Sequence, residues 1–131
     1  MRTIFVDTSG LLALLDRADP RHRQASYVFA SFEDDALVTH GYVVAESLAV
    51  ARRRFGVEGV STLIDDLLPA IDLLAISPDE HWTAVAHYRA SLPTGSSFVD
   101  QLSFQIIRRD AIEVVFTLDP DFAESGAHLL P

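Results

Sequence analysis

The sequence predicts an α/β sandwich, a mostly parallel central sheet of four to five strands with helices on both faces. Short apolar runs alternate along the chain with amphipathic stretches of helical length. The runs are apolar at successive positions, as strands covered on both faces are. The 131 residues are 49% hydrophobic, with mean hydropathy +0.21, which suits one ordinary domain around one core.

Ile4, Phe5 and Val6 read as the first strand, ending at Asp7; Thr8-Ser9-Gly10 turns the chain into a helix over 11–16. Pro20 opens a second helix, in which Ala25, Val28, Phe29 and Phe32 recur at helical spacing. A strand follows over Ala36–Thr39, and then a helix over 41–55 that is apolar around most of its circumference. Arg52, Arg53 and Arg54 at its end suit the helix dipole, and Gly56 suits the position just beyond. A helix over 57–68 stops at Pro69, and 71–76 reads as a third strand. Ser77-Pro78-Asp79-Glu80 is a capping box with proline at the first helical position, opening a helix that carries Trp82, Val85, Ala86 and Tyr88. Trp82 and Tyr88 read as core or interface residues rather than as a base-stacking platform, because the aromatics do not interleave with basic residues. The turn 93–97 leads into an apolar helix over Phe98–Arg109, and a strand over 114–118 ends at Asp119. The tail holds a glycine turn and Leu129-Leu130.

Composition excludes whole classes of chemistry. The absence of cysteine removes disulfide frameworks, thiol catalysis and iron–sulfur ligation, leaving oxygen-ligated cations as the main metal option. All ten basic residues are arginines, so no mechanism needing a lysine applies. His22, His40, His81, His87 and His128 lack paired metal spacing, and Ser9 lies outside any nucleophile elbow. No run approaches a membrane span, and the expected compartment is the cytoplasm. Nineteen acids give a net charge of −9, which opposes a nucleic acid unless cations neutralise the acids where they concentrate.

Four acids stand out. Asp7 and Asp119 follow strands, where open α/β sheets bind ligands, although each also has the place of a helix N-cap. Glu46 has Val43, Ala49 and Val50 as its neighbours on a helical face, and a solvated glutamate is the plain alternative. Asp100 shares a face with Phe104 and Ile107, and Ser97-x-x-Asp100 also fits a capping box. If the four converge, they cannot all stay ionised without cations. Mg²⁺ or Mn²⁺ would supply that charge, and such ions on carboxylates point to phosphoryl chemistry on a nucleic acid.

Ile4-Phe5-Val6-Asp7-Thr8-Ser9, Val43-Val44-Ala45-Glu46-Ser47, Phe98-Val99-Asp100 and Thr117-Leu118-Asp119-Pro120-Asp121-Phe122 with Gly126 together resemble the PIN-domain ribonucleases, and within them the VapC-type toxins of bacterial toxin-antitoxin pairs. The resemblance spans nearly the whole chain. It implies a three-layer PIN-like sandwich over residues 1–131 as a single domain. It also implies Mg²⁺- or Mn²⁺-dependent RNA cleavage, with Asp7, Glu46, Asp100 and Asp119 as catalytic metal-binding acids and Thr8 or Ser9 assisting a metal-bound water. Many relatives carry a basic residue shortly after the fourth acid; here the position is acidic, so Asp121 stands as an alternative to Asp119. The implied partners are single-stranded RNA, a VapB-type antitoxin and a second copy of the chain. Tyr27, Phe32, Leu63 and Leu67 are expected on the surface of that homodimer. Arg52 to Arg54 read as a solvated helix end or as a receiver of RNA phosphates. A haloacid-dehalogenase phosphatase is excluded, because it needs a second aspartate where Ser9 stands and a lysine. The alternative from another class is a non-catalytic PIN-like module whose acids bind a partner's arginine.

Overall fold

The computed structural model describes residues 1–131. Strands β1 (Thr3–Val6), β2 (Ala36–Thr39), β3 (Ile71–Leu73), β4 (Val114–Phe116) and β5 (His128–Leu130) form one sheet in the order β3-β2-β1-β4-β5. All four pairings are parallel, and Ile4 of central β1 lies opposite Leu37 on one side and Val114 on the other. The apolar run Ile4-Phe5-Val6 is fully buried, as a central strand covered on both faces must be.

Helices α1 (Thr8–Leu15), α2 (His22–Ala30), α3 (Gly41–Thr62), α4 (Pro78–Ser91) and α5 (Phe98–Arg109) make the connections. Helix α1 packs on both α2 and α3, and α4 packs on α5; the right-handed crossover that parallel strands follow as a rule puts the first three on one face and the pair α4 and α5 on the other. The expected three-layer sandwich is thus the observed one, with five strands. The chain runs outward from β1 to β3 and then returns to the far side of β1 for β4 and β5. The reversal between β1 and β4 opens a crevice at the carboxyl ends of these strands, because the segments leaving them diverge to opposite faces. No helix is long and apolar enough to cross a membrane.

Local chemistry explains the boundaries. Ser77 and Glu80 make both hydrogen bonds of the capping box, at 3.1 and 2.9 Å. The helices expected on either side of Gly56 join as one element kinked there, and the glycine takes φ 69°, a left-handed conformation that costs glycine little. Past Thr62 the chain widens into a π turn and then tightens into a 3₁₀ turn containing Pro69. The strands expected over 71–76 and 114–118 stop at Leu73 and Phe116. Their partner residues, Thr39 and Val6, are the last of β2 and β1, so the ladders end with them. Pro20 belongs to a turn before α2, where Asp19 accepts from the Arg21 N–H at 2.8 Å.

Two surface expectations are overturned. Phe32 and Leu63 are 3% and 0% exposed and belong to the core; Phe32 meets Phe116 edge-on at 5.6 Å. Helical spacing marks an apolar face without saying which neighbour covers it. Tyr27 is exposed and Leu67 half-buried. Trp82, expected in the core or an interface, is 65% exposed, whereas Tyr88 is half-buried. Gly10 sets the geometry nearest the crevice. A Cβ there would lie 2.6 Å from the Phe116 ring, so only glycine lets α1 rest directly on β4.

Candidate active site

Asp7, Glu46, Asp100 and Asp119 line one cleft of about 290 Å³ at the carboxyl end of the sheet. Thr8, Ser9, Leu12, Val50 and Ser97 complete its wall, and no cationic side chain enters it. Four elements far apart in sequence each deliver one carboxylate.

Asp7 leaves β1 with its N–H donating to the Phe116 carbonyl at 3.1 Å, and it is also the N-cap of α1. The capping and site readings of this residue are therefore compatible. Its side chain is 3% exposed and held through Oδ2, which accepts from Ser9 Oγ at 2.9 Å, Thr117 Oγ1 at 3.0 Å and the Ser9 N–H at 3.4 Å. The two hydroxyls stand 2.9 Å apart, so three oxygens form a triangle with only two hydroxyl protons. Ser9 Oγ accepts from the Leu118 N–H at 2.9 Å and Thr117 Oγ1 from the Asp119 N–H at 3.0 Å. With acceptor sites occupied in this way, both hydroxyls are turned to donate to an ionised Asp7.

Glu46 stands in the second turn of α3, on the face that includes pocket-lining Val50. Asp100 lies in the first turn of α5, whose N-cap Ser97 accepts from the Asp100 N–H at 3.0 Å. Asp119 caps the 3₁₀ turn Pro120–Ser125, its Oδ1 accepting from the Asp121 N–H at 2.9 Å. Asp121 is exposed and does not line the cleft. Pro120 begins a helical turn that carries the next side chain away.

The electrostatics reflect crowding of like charges. Asp100 is pushed up to about 7, first by burial and then by the charges of Asp7, Asp119 and Glu46. Asp7 is pushed up to about 6 by burial, against the lowering effect of the hydrogen bonds from Ser9 and Thr117. The carboxylates ring the cleft without three of them closing on one ion-sized point. Mutual repulsion favours that openness. The donor set still fits a hard divalent cation: it is all oxygen and strongly anionic, and the buried Thr8 Oγ1 has no hydrogen-bond partner. Ser9, in contrast, is committed to Asp7.

Sequence reasoning overlooked the anchoring role of Thr117; its place two residues before Asp119 was the available signal. It also overlooked His40, the N-cap of α3, whose Nδ1 accepts from the Tyr42 and Val43 N–H groups while Nε2 faces Ser103 Oγ at 2.8 Å. Burial holds His40 down to about 4, so a neutral ring fixes the start of the Glu46 helix. Of the arginines at 52–54, Arg54 pairs with Asp16 at 3.0 Å; Arg52 and Arg53 are exposed. A larger cavity of about 560 Å³ lies near the start of β1 and β4, but of its three charged side chains Arg2 and Asp110 are already paired with Asp35 and Arg109, which leaves Glu113 alone. Size alone does not mark the chemistry.

Known proteins share the sequence pattern and the fold. Residues 4–127 match the PIN domain, and the chain belongs to that family. It is 29% identical over 128 residues to the 23S rRNA-specific endonuclease VapC20 of Mycobacterium tuberculosis, covering 94% of each chain. The crystal structure of that VapC20, a sarcin-ricin loop cleaving toxin, superposes with a TM-score of 0.85 at 28% identity over 98% of this chain and 99% of the other. VapBC2 of Rickettsia felis, solved on a DNA fragment of its promoter, shares the fold at TM-score 0.70 and 11% identity, covering 97% and 96%.

Proposed function

We propose that this protein is the toxin of a toxin-antitoxin pair, an endoribonuclease that hydrolyses RNA phosphodiester bonds with Mg²⁺ or Mn²⁺. The observation that carries the reading is the convergence of four carboxylates on one cleft that no cationic side chain enters. The likeness to VapC20 over almost the whole of both chains supports RNA as the substrate.

Asp7, Glu46, Asp100 and Asp119 hold the cation, with Thr8 Oγ1 as a neutral donor. When bound, the ion supplies Lewis acidity toward a water and positive charge against the phosphate oxygens. The chain's own contribution is to hold acids in place. Ser9 and Thr117 lock Asp7 against rotation and keep it ionised, and the His40 cap fixes the start of the helix bearing Glu46. Asp121 lies outside this set. Residues 1–131 act as one PIN-like unit in the cytoplasm, as a homodimer bound and silenced by a VapB-type antitoxin.

The test is cleavage of RNA by the purified protein. Activity is expected with Mg²⁺ or Mn²⁺, is lost in chelator and returns with the ion. Asp7→Asn is expected to lower the rate by about a thousandfold, in line with removal of a principal electrostatic group. Cleavage unaffected by both chelator and Asp7→Asn would refute the reading.

A further inference from the structure

Beside the cleft lies an aromatic cluster whose outer members, Tyr42 and Trp82, are exposed, while Phe98 packs inward on the buried Ala84, Leu102 and Ile106. Tyr42 in the first turn of α3, His81 and Trp82 in the first turns of α4, and Phe98 at the start of α5 form one cluster. Ring centroids are 5.5 Å apart for Tyr42–His81, 5.8 Å for Tyr42–Phe98, 5.5 Å for His81–Phe98 and 4.9 Å for His81–Trp82. The Tyr42 hydroxyl lies 2.7 Å from His81 Nδ1, which fixes both rings. Trp82, the chain's only tryptophan, stands 65% exposed at the edge of this cluster.

The cluster is continuous with the site. Phe98 follows Ser97, which lines the cleft, and Tyr42 is one helical turn before Glu46. Steps of four, four and three residues place Tyr42, Glu46, Val50 and Arg53 on one stripe of α3. Along that stripe an aromatic, an acid, an apolar residue and an exposed cation follow one another. The charge balance says what such a surface has to supply. The chain is at −9, and four of its ten arginines, Arg2, Arg21, Arg54 and Arg109, are tied to its own carboxylates. Phosphate attraction alone holds a polyanion weakly on such a protein, whereas an exposed indole stacks on any base without regard to charge.

We propose that Trp82, backed by Tyr42, His81 and Phe98, is a stacking platform for an unpaired base of the RNA, seated next to the nucleotide presented to the acids. The proposal rests on the nuclease reading for its substrate. It predicts a preference for unpaired RNA, since a base within a duplex has no free face to offer.

Trp82 is its own reporter. With the wild-type protein in chelator, so that nothing is cleaved, a short single-stranded oligoribonucleotide is expected to quench the indole emission, and the same sugar-phosphate backbone without bases is not. In metal-supported cleavage, Trp82→Ala is expected to raise KM about tenfold while kcat stays within about twofold, and Trp82→Phe to recover most of the loss. Circular dichroism identifies variants that fold. Equal quenching by the abasic backbone, or an unchanged KM in folded Trp82→Ala, overturns the platform; a protein segment is then the better occupant of this face. Cleavage without any effect of Trp82 would leave the nuclease reading standing. Base-dependent quenching without cleavage would uphold stacking and sink the nuclease reading.

Discussion

Thr117 Oγ1 donates to Asp7 Oδ2 at 3.0 Å, a bond that ties the end of β4 to the end of β1 across 110 residues of chain. It lies at the one place where the sheet order reverses, and it turns a topological crevice into a positioned carboxylate. Burial raises the Asp7 pKa while this bond and its Ser9 counterpart lower it, so the two hydroxyls help set how much of the carboxylate is ionised at neutral pH.

Thr117→Val tests that role with little change of shape. Loss of a donor that favours the charged form moves the Asp7 pKa further up. The acid limb of the cleavage profile is therefore expected to shift to higher pH, with the rate at pH 7 down about fourfold. Rates compared from pH 5.5 to 9 check this. A uniform loss at every pH would show that Thr117 acts on something other than Asp7 ionisation.

Asp100 makes a stability prediction with a defined sign. Its pKa in the fold is about 7 against an ordinary 3.8, so the folded chain holds this proton over a range where the unfolded chain has released it. The resulting stabilisation is complete below about pH 4 and is lost as pH rises through about 7. A neutral amide in its place has no such loss. In chelator, Asp100→Asn is expected to match the wild type near pH 4 and to exceed it increasingly up to pH 7, levelling beyond. Asp100 is partly solvated, so screening reduces the gain to about 1 kcal/mol, or about 4 °C in Tm. His40, whose pKa is lowered, pulls stability the other way over part of this range, but it is present in both proteins and cancels in the difference. Melting curves at pH 4, 6 and 8 decide it, and cleavage by the same variant is expected to fall by orders of magnitude.

The fold was legible where local chemistry decides structure. The apolar run before Asp7, the capping box at Ser77 and the breaker Gly56 each act through near neighbours, and each does in the structure what its residues imply. Features set by contacts between distant elements were not legible in the same way. Helical spacing gave Phe32 and Leu63 an apolar face but not the partners that bury them, and the strand ends depended on where their neighbours stop. The four acids could be picked out because ionisable groups in apolar settings are unusual. The hydrogen bonds that hold Ser9 against Asp7 could not, because they involve Leu118 and Thr117, more than a hundred residues away. The aromatic surface joins three helices and has no local signature.

The pair Asp119 and Asp121 gives the sharpest test of the site. Asp119 lines the cleft and adds to the charge pressing on Asp100; Asp121 is exposed, beyond the turn that Pro120 begins. Asp119 also caps that turn, which would confuse a substitution by alanine. Asparagine caps about as well as aspartate, so Asp119→Asn removes the charge while leaving the local structure supported. Asp119→Asn is therefore expected to weaken Mn²⁺ binding at least tenfold and to slow cleavage by about a hundredfold, with Tm nearly unchanged. Asp121→Asn is expected to stay within about twofold of the wild type in both, because an exposed carboxylate acts on the ion only through screened, water-filled space. Mn²⁺ titrations and cleavage rates measured side by side distinguish the possibilities. Equal losses would make the two acids a shared site, and a larger loss at Asp121 would mean that the chain around Pro120 rearranges to bring the second acid to the ion.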